Sequence, residues 1–194
     1  MAIVKGPLMS VDARGQLGKT LVFIGWKGVK DVRAHVVPAN PKTAAQQAQR
    51  GYMAAAVKRW HGYSMTNLDV TAVEQLAAIQ GRPMSGFNAV TKLDIDAAVH
   101  GESFQLIAGL AVSGVTSSGF TVAATGRAAG TYTLKYGTSP TVLTGTASVT
   151  NTAGALSATL SGLSASTKYY FQILATDAGH QDVSGIGSQT TAAA

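Results

Sequence analysis

Ala158-Thr-Leu-Ser-Gly-Leu-Ser-Ala-Ser-Thr-Lys-Tyr-Tyr-Phe-Gln-Ile-Leu-Ala175 decides how the second half of this chain is read. From Tyr169 onward, Tyr169, Phe171, Ile173 and Ala175 alternate with Tyr170, Gln172 and Leu174. That is the period-two pattern of a strand with one face in a core, and the first set is expected to face inward. Working outward, similar short runs recur with turn residues between them. They are Leu110–Ser113, Gly119–Ala124, Thr131–Tyr136, Gly145–Thr150, Ala155–Leu160, Lys168–Ala175 and Gly185–Thr190. Short strands at this spacing imply an all-β sandwich.

Upstream the composition changes. Residues 1–104 hold 12 of the 15 Lys and Arg and 7 of the 9 Asp and Glu; residues 105–194 hold the remaining 3 and 2. The second part is dominated by Thr, Ser, Ala, Gly and Val, while all 5 Met and both Trp lie in the first. The shift falls across Gly101–Gly109 and places a domain boundary there, with a basic module over residues 1–104 and a sandwich over 105–194. Within the first module, residues 1–60 carry 10 basic groups against Asp12 and Asp31, a net +8. Residues 61–104 carry Arg82 and Lys92 against Asp69, Glu74, Asp94, Asp96 and Glu102, a net −3. A basic face beside an acidic one suits self-association or an acidic partner surface.

The first module reads as a hairpin followed by helices. Leu17–Trp26, opened by Gly15 and Gly18, and Val29–Val37 are β-branched and flank a Lys27-Gly28 turn; Pro38 stops the second strand. Ala44–Trp60 is rich in Ala and Gln, which favours helix, with Thr43 as N-cap and Met53, Val57 and Trp60 as its inward stripe. A second helix covers Asp69–Gln80 with Val70, Val73, Leu76 and Ile79 inward, and a third begins near Ser85 with Phe87, Val90 and Leu93 on one side. The expected fold class is thus an α+β N-terminal module, a β-hairpin plus about three helices, followed by an all-β immunoglobulin-like sandwich.

Composition excludes several classes. With no Cys there is neither a disulfide scaffold nor a thiolate metal site. Charged residues at 12% with 46% hydrophobic content argue against disorder. No apolar run reaches the ~20 residues that span a bilayer, and the N-terminal stretch lacks a signal-peptide core, so a soluble protein made in the cytoplasm is expected, with no membrane partner. Gly15-Gln-Leu-Gly-Lys-Thr20 has two residues where a phosphate-binding loop needs four, and a strand follows instead of a helix. The four His are far apart in sequence with no ligand spacing. Asp94 and Asp96 read as a solvated face, and no Ser stands in a nucleophile elbow. No catalytic residue, cofactor site or metal site is therefore expected, and the chain is not read as an enzyme. Cations spread along strands point to a protein interface rather than to nucleic acid.

Two resemblances add to this reading. Leu163, Ala165, Thr167 and Tyr169 stand where fibronectin type III domains carry Leu, Pro, Thr and Tyr at alternate positions. The resemblance implies a tyrosine corner, the Tyr169 hydroxyl bonding to upstream backbone. The usual Pro is replaced by Ala165, and Phe120-Thr-Val-Ala-Ala124 lacks the Trp common on the second strand, so the core must be filled differently. The fold carries no function of its own.

Gly15-x-x-Gly18-Lys19, Val32-Arg33, Pro38-Ala-Asn-Pro-Lys-Thr-Ala-Ala-Gln46, Arg50, Trp60, Leu68, Gly86-Phe87 and Asn88 occur in an order similar to a family of small tailed-phage virion structural proteins. That resemblance implies a capsid decoration or head-associated protein, or next a tail component, located in the virion and partnered by capsid or tail proteins and copies of itself. Lys19, Trp26, Arg33, Asn40, Gln46 and Arg50 are its candidate assembly residues. Gln46 and Arg50 form an i, i+4 pair that could clamp the hairpin or dock on a neighbour. The alternative is adhesion, with Tyr132, Tyr136 and Tyr170 available as flat rings for weak glycan binding by the sandwich.

Overall fold

A computed structural model describes residues 3–4, 13–26, 29–37, 39–80 and 84–194, the backbone alone for residues 3–4, 13–14, 26 and 29–30. The chain forms two compact units, residues 1–43 and 44–194.

In the first unit, strands β1 (Ile3–Val4), β2 (Ala13–Leu17), β3 (Leu21–Trp26) and β4 (Val29–Ala34) form an antiparallel sheet in that order. The expected hairpin is present as β3 and β4, with Val22 opposite Arg33 and Phe23 opposite Val32. Its turn at Lys27-Gly28 and its stop at Pro38 lie outside the described residues. The strand expected over 17–26 is split, because Gly18 and Lys19 both take left-handed φ, 54° and 58°. Two such residues in succession reverse a chain rather than extend it. The Thr20 N–H closes the reversal onto the Leu17 carbonyl at 3.0 Å, and Leu17 pairs with Leu21 across β2 and β3.

The second unit opens with helices α1 (Ala44–Gly62), α2 (Asn67–Ile79) and α3 (Gly86–Val99). Eight strands follow: β5 (Ala108–Ser113), β6 (Phe120–Thr125), β7 (Tyr132–Gly137), β8 (Gly145–Ser148), β9 (Thr150–Thr152), β10 (Ala155–Leu160), β11 (Lys168–Ala175) and β12 (Gly187–Thr190). They form two antiparallel sheets, β5-β6-β10-β9 and β12-β11-β7-β8. The expected strand over 145–150 crosses between the sheets at Val149, pairing β8 with β7 and β9 with β10. This is the strand order of a fibronectin type III-like sandwich.

The core lies between the sheets. Tyr169, Phe171 and Ile173 point into it as their alternation required, and meet Phe120, Val122, Leu156 and Leu160 of the facing sheet. Phe120 and Phe171 pack with ring centroids 5.9 Å apart. The Tyr169 hydroxyl accepts from the Ser164 N–H at 3.1 Å, which is the tyrosine corner.

The compact units divide the chain differently from the expected boundary at 104/105. The helices group with the sandwich, not with the hairpin, because α2 supplies part of the sandwich's closure. Ala72 of α2 is 1% exposed and belongs to the sandwich core. Its carbonyl accepts from the Ile186 N–H at 2.8 Å, and a Cβ on Gly185 would lie 2.4 Å from the Ala72 carbonyl carbon. Only glycine permits backbone to approach helix so closely. A second cluster joins Val73, Val90 and Ala97 of the helices to Phe104, Leu106 and Val183.

Within the helices the inward assignments are partly corrected. Val73 and Leu76 are buried and Ile79 half-buried, but Val70 is 46% exposed and Ala72, Ala77 and Asp69 take buried positions on α2. Met53 of α1 is 49% exposed and the small Ala56 is the buried residue of that helix. A pattern of large side chains overlooks small ones, which allow close helix packing. Ser85 caps α3, its hydroxyl accepting from the Asn88 N–H at 3.3 Å.

Candidate functional site

The described residues of the first unit present a two-sided sheet. Cross-strand pairing puts Leu17, Leu21, Phe23, Val32 and Ala34 on one side of the sheet, and Gln16, Val22, Ile24, Asp31 and Arg33 on the other. Leu17 is 37% exposed, Leu21 39% and Val32 53%. None of the residues of this unit whose burial is described is buried. Such a contiguous apolar face on a charged sheet is what a docking surface requires.

Four of the six candidate assembly residues lie in this unit. Lys19 sits at the tip of the β2–β3 turn and is exposed. Trp26 ends β3 opposite Val29, Arg33 lies exposed on edge strand β4, and Asn40 is exposed between β4 and α1. Gln46 and Arg50 occupy the first two turns of α1 in the second unit, one turn apart and both exposed. The six residues thus divide between the two units, four in the first and two in the second.

The polar groups the sequence reading missed are in the second unit. Asp69, 2% exposed, caps α2. It accepts from the Thr66 N–H at 2.7 Å while its own N–H donates to the Thr66 hydroxyl at 3.1 Å. The same carboxylate accepts from Gly109 N–H at 2.9 Å and Leu110 N–H at 3.0 Å, tying α2 to β5. The readable signal is Thr66-Asn-Leu-Asp69, the spacing of a capping box.

A second buried acid, Asp182, is gripped in two-pronged fashion by Arg127, Nε at 2.6 Å and Nη2 at 3.1 Å. The Tyr132 hydroxyl donates to Asp182 at 3.3 Å and accepts from the Arg127 N–H at 2.8 Å. The hydrogen bond to Asp182 pushes the Arg127 guanidinium up from its ordinary value, and burial pushes the Tyr132 phenol up.

Asp94 corrects the expected solvated face. It is buried and pairs with Arg59 at 3.1 Å, while Asp96 forms an exposed i, i+4 pair with Lys92 at 3.4 Å. Burial raises the Asp94 carboxyl above the ordinary carboxylate value, and the Arg59 charge offsets part of that rise.

One Ser–His contact exists that spacing did not reveal. Ser103 Oγ lies 2.6 Å from His180 Nδ1, at a parallel bridge between the two residues. The nearby Asp177 carboxylate is engaged by the Thr131 N–H at 2.6 Å. The pair therefore joins the segment after α3 to the loop before β12, as do the Ser103 N–H to Gly179 carbonyl bond at 3.0 Å and the Gln181 amide on Glu102. A groove of about 350 Å³ beside it is lined by Leu76, Leu93, Leu174 and Gln181. Among the described residues, no three His, Asp or Glu gather as a metal-binding group, and no helix is long and apolar enough to cross a membrane.

Of the three tyrosines considered for sugar stacking, Tyr136 and Tyr170 are half-buried and Tyr132 is buried. Tyr132 is 3% exposed. Tyr136 packs against Tyr169 at 6.5 Å, and Lys168 lies over Tyr170 at 5.2 Å.

No family model matches the chain, and no curated protein matches it. Solved structures similar to it include a computationally redesigned β-sandwich protein, 20% identical over 46% of this chain and 96% of that one, TM-score 0.37. Another is the FN5 domain of Drosophila Lar, 17% identical over 46% and 97%, TM-score 0.35. A third is the sensor domain of the anti-sigma factor RsgI4 of Pseudobacteroides cellulosolvens, 18% identical over 44% and 92%, TM-score 0.33. The fold assignment itself rests on strand order and register.

Proposed function

We propose that this chain is a non-enzymatic structural protein that acts by docking, with the sheet of residues 1–43 as its attachment element and the helix-backed sandwich of residues 44–194 as the displayed body. The observation that carries this reading is the apolar face of exposed Leu17, Leu21 and Val32 beside half-buried Phe23, on a sheet with no buried side chain among its described residues. A sheet of this size gains stability when a partner covers such a face. The cations that accompany it add attraction to an acidic neighbour.

The more specific assignment is a tailed-phage virion protein, first as a decoration of the head and second as a tail component. It draws on the resemblance around Gly15–Arg50. Many copies on a lattice would turn modest contacts into firm attachment.

The test is incorporation of the full-length chain into particles. Leu17→Asp with Leu21→Asp should abolish incorporation while leaving the melting temperature of the sandwich unchanged. Incorporation equal to wild type, or absence of the wild-type protein from every particle, overturns the proposal.

A further inference from the structure

The last strand of the first sheet has an open side. Among the described residues, the order β1-β2-β3-β4 leaves β4 paired on one edge only. The His35 N–H donates to the Thr20 carbonyl at 2.7 Å, so odd-numbered residues of this segment turn their backbone groups toward β3. Because backbone groups alternate sides along an antiparallel strand, those of Lys30, Val32 and Ala34 point away from the sheet. Residues 31–34 are all exposed. An open edge of this kind is a template for another strand.

The sequence of that edge is self-complementary in one register. Two copies of β4 related by a twofold axis normal to the sheet must run antiparallel, with residues on matching faces opposite one another. Centring the axis on Asp31 sets Asp31 against Asp31, and centring it on Arg33 sets Arg33 against Arg33; like charges directly opposite are destabilising. Centring it on Val32 sets Asp31 against Arg33 twice and Val32 against Val32. It also makes Val32–Val32 a hydrogen-bonded pair, so both Asp31–Arg33 pairs fall at the closer, non-hydrogen-bonded positions. About six backbone hydrogen bonds form across the seam. The apolar face of Leu21, Phe23 and Val32 then continues from one copy's sheet onto the other's.

We propose that β4 pairs with β4 of a second copy, antiparallel and centred on Val32, to give a dimer with an eight-stranded sheet. The proposal deepens the docking reading and rests on it only in taking the first unit as the attachment element.

The test uses the full-length protein. Sedimentation should give a dimer at micromolar concentration. Arg33→Asp and Asp31→Arg should each weaken it by about tenfold or more, since each turns two attractive pairs into two repulsive ones. The double variant Asp31→Arg with Arg33→Asp restores the opposite pairing and should recover the dimer. The native chain has no Cys, so Val32→Cys gives a clean second readout. Its two sulfurs should join under mild oxidation, because a hydrogen-bonded pair holds Cα atoms ~5.5 Å apart, within disulfide reach; Ala34→Cys should not crosslink. A monomeric wild type, a dimer unmoved by either single charge reversal, no recovery in the double variant, or crosslinking through Ala34→Cys rather than Val32→Cys overturns the proposal. A monomer that still enters particles would sink the strand pairing and leave the docking reading standing.

Discussion

Replacing Asp69 by Asn tests whether the helices and sandwich are one folding unit. Asp69 Oδ2 takes the N–H groups of Thr66 and Gly109, and Oδ1 takes the buried N–H of Leu110. Asparagine offers one carbonyl oxygen and turns an NH₂ toward whichever donors remain. If the oxygen replaces Oδ2, the Leu110 N–H faces another donor, and an orphaned buried donor costs about 1–3 kcal/mol. The other two bonds lose their charge assistance, about 1 kcal/mol each. The sum is about 3–5 kcal/mol, or roughly 6–20 °C of melting temperature for a unit of this size. Thermal unfolding followed by far- and near-ultraviolet circular dichroism should show one lowered, cooperative transition. A shift below about 2 °C would refute the argument, and a helix signal melting well ahead of an unchanged sandwich would show that α2 is an appendage.

Three further outcomes follow from the geometry. Gly185→Ala puts a methyl group 2.4 Å from the Ala72 carbonyl carbon; it should destabilise by about 1–3 kcal/mol in urea unfolding, with backbone on both sides unable to yield. Tyr169→Phe strands the Ser164 N–H and should cost about 1–2 kcal/mol by the same measurement. For Asp94, the folded-state pKa lies above the ordinary value of 3.8 because burial disfavours its charge. Its contribution is therefore fully present below pH 3.8 and is lost as pH rises through the raised value. The stability of wild type relative to Asp94→Asn should accordingly increase as pH falls from 7 toward 4, read from paired urea titrations; a flat or falling difference contradicts the assignment.

Strand alternation made the sandwich legible. The Ala155–Leu160 and Lys168–Ala175 boundaries coincide with β10 and β11, and the corner tyrosine lies where the motif placed it. These features are local, each depending on side chains a few residues apart. The attachment of α2 to the sandwich was illegible for the opposite reason. It depends on Asp69 meeting Gly109 and Leu110, and Ala72 meeting Gly185 and Ile186, contacts between residues far apart in the chain. A composition shift at Gly101–Gly109 marks a change from helix to strand, not a division between folded bodies. The helix that carries Gln46 and Arg50 is legible from its Ala- and Gln-rich composition, but order along the chain does not show that these two belong to one unit while Lys19 and Arg33 lie in another. The pairing of Ser103 with His180 was hidden likewise, and so was the burial of Asp94, since helix periodicity says which face a residue shares but not what covers it.

The contact between Ala72 and the Gly185–Ile186 segment also governs the order of events during synthesis. The ribosome releases the three helices well before the strand segment that seals them. Until that segment emerges, the flank of α2 carrying Ala72 lacks the strand segment that closes over it, and the nascent chain must hold part of an oily surface in waiting. Completion of the second body therefore waits for residues 185–186, and a product stalled before them would be sticky in a way the closed body is not.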